Sequence, residues 1–158
     1  MKSKAKILVT GGAGFIGSHL VPRLLAKGFS VVVLDNLYSG KLENLKICRD
    51  DARFKFVNAD ILDKVALAEA FIDIDAVVHL AALIDVVASV VDPVLTHEVN
   101  VTGTLNVLQA AAQSKAKRFV FASSTAVYGD VRALPVMENT ILKPIPPYAA
   151  SKAASEAY

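Results

Sequence analysis

Cysteine is nearly absent. The 158-residue chain carries one, Cys48, so it can close no internal disulfide and build no cysteine-based metal cluster. Histidine is scarce as well: the chain has three, and with the aspartates and glutamates they form no metal-ligand spacing, so no metal site is expected. Charge is sparse, at 20% of residues and a formal net of +2, and no basic face interleaved with aromatics occurs, which argues against a nucleic-acid partner. No apolar run is long enough for a membrane span, because the longest, residues 76–91, is interrupted by His79 and Asp85. Lys2, Lys4 and Lys6 ahead of an apolar run imitate the start of a secretory leader. The glycines that follow, with Arg23 and Lys27, leave no clean apolar core or cleavage site. A cytoplasmic protein is the expectation.

What remains is apolar and regularly segmented. Hydrophobic residues make up 54%, much of it Val, Ala, Leu and Ile in short runs, the composition of strands covered on both faces. Strands are predicted at residues 5–10, 30–34, 54–58, 76–80 and 118–122, alternating with helices at 15–27, 64–71, 92 to about 114, and from Tyr148 onward. Pro22 is expected to kink the first helix and Gly28 to end it. Asp92 reads as an N-cap with Pro93 in the first turn, the helix burying Leu95, Val99, Leu105 and Leu108. A proline-rich loop, residues 135–147, precedes the last helix. The alternation predicts an α/β fold, a Rossmann-type doubly wound parallel sheet with helices on both faces. The length fits one domain, residues 1–158. The final helix shows no cap, glycine or polar tail, so the chain reads as a truncated domain, the amino-terminal part of something longer.

The stretch from Thr10 to Ser18 places Gly11, Gly14 and Gly17 between the first strand and the first helix. A helix start carries unpaired N–H groups and the positive end of the dipole, which suits a phosphate. Gly11 permits the turn, Gly14 lets a pyrophosphate approach the backbone, and Gly17 lets the helix pack close to the sheet. Asp35 ends the second strand, where a carboxylate accepts from both ribose hydroxyls of an adenosine and repels a 2′-phosphate, so NAD is expected over NADP. Asp60 closes the third strand, either to accept from an adenine amino group or as an ordinary surface residue. His79 reads as a half-buried, satisfied residue ahead of the small Ala81 and Ala82, and residues 100–104 as a close-packed stretch of helix.

Tyr148 and Lys152 are four apart, one turn along the same helix face. A free phenol titrates near 10 and serves as a base at neutral pH only if a neighbouring ammonium and a helix start favour the phenolate. Ser123-Ser124-Thr125 follows the fifth strand, where a hydroxyl can bond the same substrate oxygen and relay its proton, or simply form a turn. On spacing alone Tyr-x-x-x-Lys also arises by chance on an amphipathic helix.

Taken together, residues 10–17, Leu34-Asp35-Asn36-Leu37, Asp60-Ile61, His79-Leu80-Ala81-Ala82, residues 100–104, residues 123–129 and residues 147–152 resemble, in order, the amino-terminal part of an extended short-chain dehydrogenase/reductase of the NAD-dependent epimerase/dehydratase group. Within that group the UDP-sugar 4-epimerases look nearest. The resemblance implies that Tyr148 is the general base, that Lys152 supports it and holds the nicotinamide ribose, and that Ser124 binds the sugar 4-oxygen. It implies a cofactor set of Gly11, Gly14, Phe15, Ile16, Gly17, Asp35, Asn36, Ser39, Gly40, Asp60, Ile61, Leu80, Ala81, Ala82, Asn100, Ala122, Ser123, Tyr148 and Lys152 around NAD. The implied reaction oxidises C4 of a UDP-sugar to a 4-keto sugar and returns the hydride to the other face. Family members that dehydrate or decarboxylate carry acids where this chain has Thr125 and Ala126, which favours plain epimerisation; Ile84 stands where some 4-epimerases have a lysine. A homodimer is implied, and a carboxy-terminal substrate domain that this chain does not contain; without it the chain is expected to be inactive by itself. The alternatives are another extended short-chain dehydrogenase, acting on a sugar or sterol, a decarboxylase, or a non-catalytic NAD-binding module.

Overall fold

The computed structural model of the chain describes residues 4–131 and 134–158, which leaves Lys2 of the lysine-rich start outside. Five strands, β1 (Lys4–Thr10), β2 (Phe29–Asp35), β3 (Phe54–Asn58), β4 (Ala76–His79) and β5 (Arg118–Phe121), form one sheet in the order β3-β2-β1-β4-β5 with every neighbouring pair parallel. The helices are α1 (Phe15–Ala26), α2 (Lys64–Ala70), α3 (Val86–Val91), α4 (Pro93–His97), α5 (Gly103–Gln113) and α6 (Pro147–Ala157). This is the doubly wound Rossmann-type arrangement expected from the alternation of strands and helices. The chain divides into two compact units: residues 1–81 with 106–122 form the first, and residues 82–105 with 123–158 the second.

In the first unit the side-chain period of two sends alternate residues of each strand to opposite faces. Ile7, Val9, Val31 and Val33 join Val21 and Leu25 of α1 in one buried cluster, together with Leu45 and Cys48. Leu8, Val32, Leu34 and Val77 point the other way and are equally buried, which requires cover on that face too. Leu45 and Cys48 belong to a 3-10 helix, Leu42–Cys48, where the sequence showed only a polar stretch. Its apolar residues Leu42, Leu45 and Cys48 recur every three positions, the pitch of a 3-10 turn and not of an α-helix. The helical run of α1 continues through Pro22, which has no N–H to return to the Ser18 carbonyl. Gly28, at φ +88, ends it as expected.

In the second unit, α3 and α4 are short helices, each with an aspartate N-cap: Asp85 accepts from the Ala88 amide at 2.9 Å and Asp92 from the Leu95 amide at 2.9 Å. The helix expected from Asp92 to about Ser114 is present as α4, a π turn, Glu98–Thr102, and α5 in direct succession, the π turn being the unforeseen part. Its burial also differs from expectation. Leu95 is exposed and Val99, Leu105 and Leu108 only half-buried, while Thr96, Asn100 and Thr104 are buried. The hydroxyls of Thr96 and Thr104 satisfy themselves on the carbonyls four residues back, at 3.0 and 2.5 Å, and so bury as readily as apolar groups. A 3-10 turn, Thr125–Tyr128, and α6 complete the unit and pack together.

Candidate active site

In the first unit the registers fix where the strands end. Thr10 lies beside Leu34 and His79, Asp35 beside Asn58, and His79 beside Phe121, so the segments that follow all five strands emerge at one sheet edge. That edge is where open parallel sheets bind ligands. It brings together Gly11, Gly14, Phe15, Ile16, Gly17, Asp35, Asn36, Ser39, Gly40, Asp60, Ile61, Leu80, Ala81 and Ala122.

The loop between β1 and α1 is tightly held. Gly11 turns the chain at φ +66, and a Cβ there would lie 2.6 Å from the Ala81 nitrogen, so the end of β4 packs directly on it. A Cβ on Gly17 would lie 2.4 Å from the Cα of Gly12, so this glycine lets α1 close on its own loop, a nearer neighbour than the sheet named for it above. Gly14 is different. The nearest atom to a Cβ on Gly14 is the Gly11 carbonyl oxygen at 3.3 Å, so the space in front of it is a cradle that a methyl group would begin to fill. Gly14 is also the N-cap of α1, and no side chain caps that end. Phe15 and Ile16, in the first turn, are exposed. The donor set and the cradle fit a pyrophosphate.

Asp35 is buried, and one carboxylate oxygen accepts from the Ala13 amide at 2.9 Å while the other accepts from the Leu37 amide at 2.9 Å. Leu37 has φ +60, a left-handed conformation that costs a branched residue about 1 kcal/mol or more, and Asp35 holds it there. Gly40 lies against both, since a Cβ on it would sit 3.0 Å from the Ala13 Cβ and 3.1 Å from the Asp35 Oδ1; Ser39 beside it is exposed. Asn36 donates to the Asp60 Oδ2 at 2.7 Å, and the Asp60 Oδ1 accepts from the Leu62 amide at 2.8 Å. Asp60 is therefore tied to the end of β2, not an isolated surface residue. His79 is fully buried, not half-buried as expected; its Nδ1 lies 2.5 Å from the Thr10 hydroxyl and its ring rests against Phe119 and Phe121.

The second unit carries Ala82, Asn100, Ser123, Ser124, Tyr148 and Lys152. Tyr148, Ser151, Lys152 and Ser155 are the buried polar residues of α6. The Tyr148 amide donates to the Ser89 hydroxyl at 3.1 Å, Ser151 donates to the Tyr148 carbonyl at 2.7 Å, and Ser155 donates to the Asn100 carbonyl at 2.9 Å. The Asn100 amide donates to the Leu83 carbonyl at 2.9 Å and the Ser151 hydroxyl at 3.0 Å, and its oxygen accepts from the Leu83 amide at 2.8 Å. These bonds fix the start of α6 and with it the direction of Tyr148 and Lys152. Ser89, Ser151 and Ser155 were not foreseen as site residues; the signal was the Ser151–Ser155 pair, four apart on an alanine-rich helix. Lys152 is 3% exposed, rare for a lysine. Burial lowers its pKa from 10.5 to about 8, and the Glu156 carboxylate, a turn further along, pulls it partly back. The Ser124 hydroxyl accepts from the Ala126 amide at 3.2 Å and caps the Thr125–Tyr128 turn, a bond that leaves its own hydrogen to donate. Ser123 donates to the Glu156 Oε1.

A groove of about 540 Å³ between α2 and α5, lined by Lys64, Phe71, Asn106, Gln113 and Lys115 among others, contains none of the expected site residues. Among the described residues no helix is long and apolar enough to cross a membrane.

A Rossmann-type sheet with an uncapped glycine-cradled helix start, and a tyrosine and buried lysine one turn apart on a following helix, are the features of the short-chain dehydrogenase/reductase class. Comparison with known proteins narrows this: residues 8–158 match the family model described as GDP-mannose 4,6 dehydratase, and the chain belongs to that NAD-dependent epimerase/dehydratase family. It is 46% identical over 156 residues to the UDP-glucose 4-epimerase of Mycolicibacterium smegmatis, covering 97% of this chain and 50% of that protein. The solved structure of UDP-glucose 4-epimerase from Thermus thermophilus in complex with NAD superposes with a TM-score of 0.89 at 46% identity, over 97% of this chain and 49% of that one. The dTDP-glucose 4,6-dehydratase of Streptomyces venezuelae, solved with NAD, gives 0.91 at 42% identity, over 96% and 49%. The chain thus spans about half the length of the proteins it matches.

Proposed function

We propose that this chain is the NAD-binding part of a UDP-sugar 4-epimerase of the UDP-glucose/UDP-galactose type. The observation that carries the reading is the buried Lys152 one turn from Tyr148 in the second unit, in a chain whose first unit offers an open glycine cradle beside Asp35. The first-turn amides of α1 would hold the pyrophosphate, with Gly14 giving it room, and Asp35 would take the adenosine ribose hydroxyls. Asn36, Ser39, Gly40, Asp60 and Ile61 would border the adenosine, and Leu80, Ala81, Ala82, Ala122 and Ser123 the nicotinamide. Asn100, whose amide is engaged by Leu83 and Ser151, would serve by holding Tyr148 in place. NAD, when bound, supplies a reversible hydride acceptor. The chain's own chemistry is acid–base: Tyr148 takes the proton of the sugar 4-hydroxyl, the Lys152 ammonium favours the phenolate form, and Ser124 donates to the same oxygen.

The likeness to a 4,6-dehydratase supports a second reading, in which an acid beside Ser124 removes water from the sugar. In this chain the residues after Ser124 are Thr125 and Ala126, neither of which can act as acid or base, and the epimerase reading is preferred. We place the protein in the cytoplasm as a homodimer, with residues 93–114 and α6 on the shared face. The chain should bind NAD in preference to NADP and give no turnover by itself, because binding energy from the remote nucleotide of the substrate positions the reacting carbon. Calorimetric titration with NAD and NADP, with a UDP-galactose turnover assay on the same preparation, tests both halves. Equal affinity for NADP, or family-like turnover by the 158-residue chain, overturns the corresponding half.

A further inference from the structure

We propose that Glu156 is a positioning residue for Lys152: held by the Ser123 hydroxyl, its carboxylate extends the Tyr148–Lys152 stripe of α6 by one more turn and anchors the ammonium at its outer end. The inference rests on the reading of Tyr148 and Lys152 given above.

Three observations carry it. Tyr148, Lys152 and Glu156 are spaced four apart on one helix, so each lies above the last on the same face. Tyr148 and Lys152 are buried and Glu156 is exposed, which places the carboxylate at the wet end of the stripe. Ser123, on the segment after β5 and next to Ser124, donates its hydroxyl to the Glu156 Oε1. An exposed glutamate ordinarily samples many rotamers, and its field on a neighbour is averaged and screened. A hydroxyl that donates to it restricts that sampling, so the charge facing Lys152 acts from one place. Consistent with this, Glu156 raises the Lys152 pKa against the lowering effect of burial.

The other ionisable groups on the segments packed against α6 are Asp85 at the start of α3, Asp92 and His97 at the ends of α4, Glu98 in the π turn and Tyr128 in the 3-10 turn. Asp85 and Asp92 are engaged as helix caps. Glu156 is the carboxylate whose charge acts on the Lys152 titration.

The test uses the 158-residue chain and follows the Lys152 side chain by carbon-13 NMR across pH 6–11, a readout that needs neither cofactor nor turnover. Glu156→Gln should move the Lys152 midpoint down by roughly half a pH unit. Ser123→Ala should move it in the same direction and add nothing in the Glu156→Gln background, because both act through one contact. Ser123→Thr, which keeps the hydroxyl, should restore the midpoint. Both side chains are exposed, so melting temperatures should stay within a few degrees of the parent and certify that the variants are folded. A Lys152 midpoint unmoved by Glu156→Gln, or moved additively by the two substitutions, overturns the proposal. Failure of the parent chain to bind NAD would instead overturn the cofactor reading and leave the Ser123–Glu156–Lys152 titration to stand or fall separately.

Discussion

Asp35 reaches from the end of β2 to accept the Ala13 amide at 2.9 Å, so the residue expected to recognise a ribose also shapes the loop expected to hold a pyrophosphate. One carboxylate therefore couples the two segments proposed to hold a dinucleotide. Asp35→Ala should lose both this bond and the one to Leu37, costing about 1–3 kcal/mol, since each leaves an amide without its partner. The expected fall in melting temperature is about 2–4 °C per kcal/mol. NAD affinity should fall by more than the stability loss explains, and discrimination against NADP should relax. A variant that melts early but still distinguishes the two dinucleotides would reduce Asp35 to a loop brace.

Gly14 and Gly17 should separate binding from folding. Gly14→Ala meets the Gly11 carbonyl oxygen at 3.3 Å and puts alanine at an N-cap, and should lower the melting temperature by a few degrees only, while filling the cradle and weakening NAD binding by about tenfold or more. Gly17→Ala places a methyl 2.4 Å from the Gly12 Cα and should destabilise the chain by about 3 kcal/mol or more. Thermal melts and NAD titrations of the pair give opposite rankings if the cradle is a ligand site.

Lys152 makes a prediction about pH. Its folded pKa of about 8 lies below the ordinary 10.5, so below pH 8 both folded and unfolded chains carry the charge and the burial penalty is fully present. Between pH 8 and 10.5 the folded chain loses the proton while the unfolded chain keeps it, and this group's penalty is relieved as pH rises. Lys152→Met should therefore stabilise the chain by about 3 kcal/mol at neutral pH, with the advantage fading from pH 8 and gone above about pH 10.5. It should bind NAD more weakly at the same time. Urea unfolding from pH 6 to 11 reads the first effect; an equal loss of stability at every pH would contradict the assignment.

Tyr148→Phe removes one hydroxyl from a side chain whose backbone stays anchored by Ser89 and Ser151. Folding and NAD affinity should change less than about twofold, while a full-length enzyme carrying the change should lose C4 oxidation by two orders of magnitude or more. Loss of NAD binding in Tyr148→Phe comparable to that in Gly14→Ala would mean that Tyr148 supports the fold and not the chemistry.

The sheet was legible because buried parallel strands announce themselves as short apolar runs; β3 falls on the residues expected, and the others differ by one or two. The residues of the second unit were harder to place. Val86–Val91, a β-branched run, gives no helical period and folds as a helix under the Asp85 cap. Thr96, Asn100 and Thr104 are buried where Leu95 and Val99 were expected, because a hydroxyl returned to its own helix backbone hides its polarity from any rule based on hydrophobicity. The glycine loop and the Tyr148–Lys152 spacing could be read because each is local. The Ser89, Ser151 and Ser155 contacts that hold the helix of Tyr148 and Lys152 could not, because their partners lie up to 59 residues away.

The Ala13 carbonyl accepts from the Lys41 amide at 3.2 Å and from the Asn44 side chain at 2.8 Å, on the far side of the peptide whose neighbouring amide Asp35 holds. The glycine loop is thus clamped from both directions by the chain's own bonds. Its entropy of ordering falls on folding and not on ligand capture. Dinucleotide association at this loop should proceed without a slow conformational phase, as a single exponential whose rate rises linearly with ligand concentration.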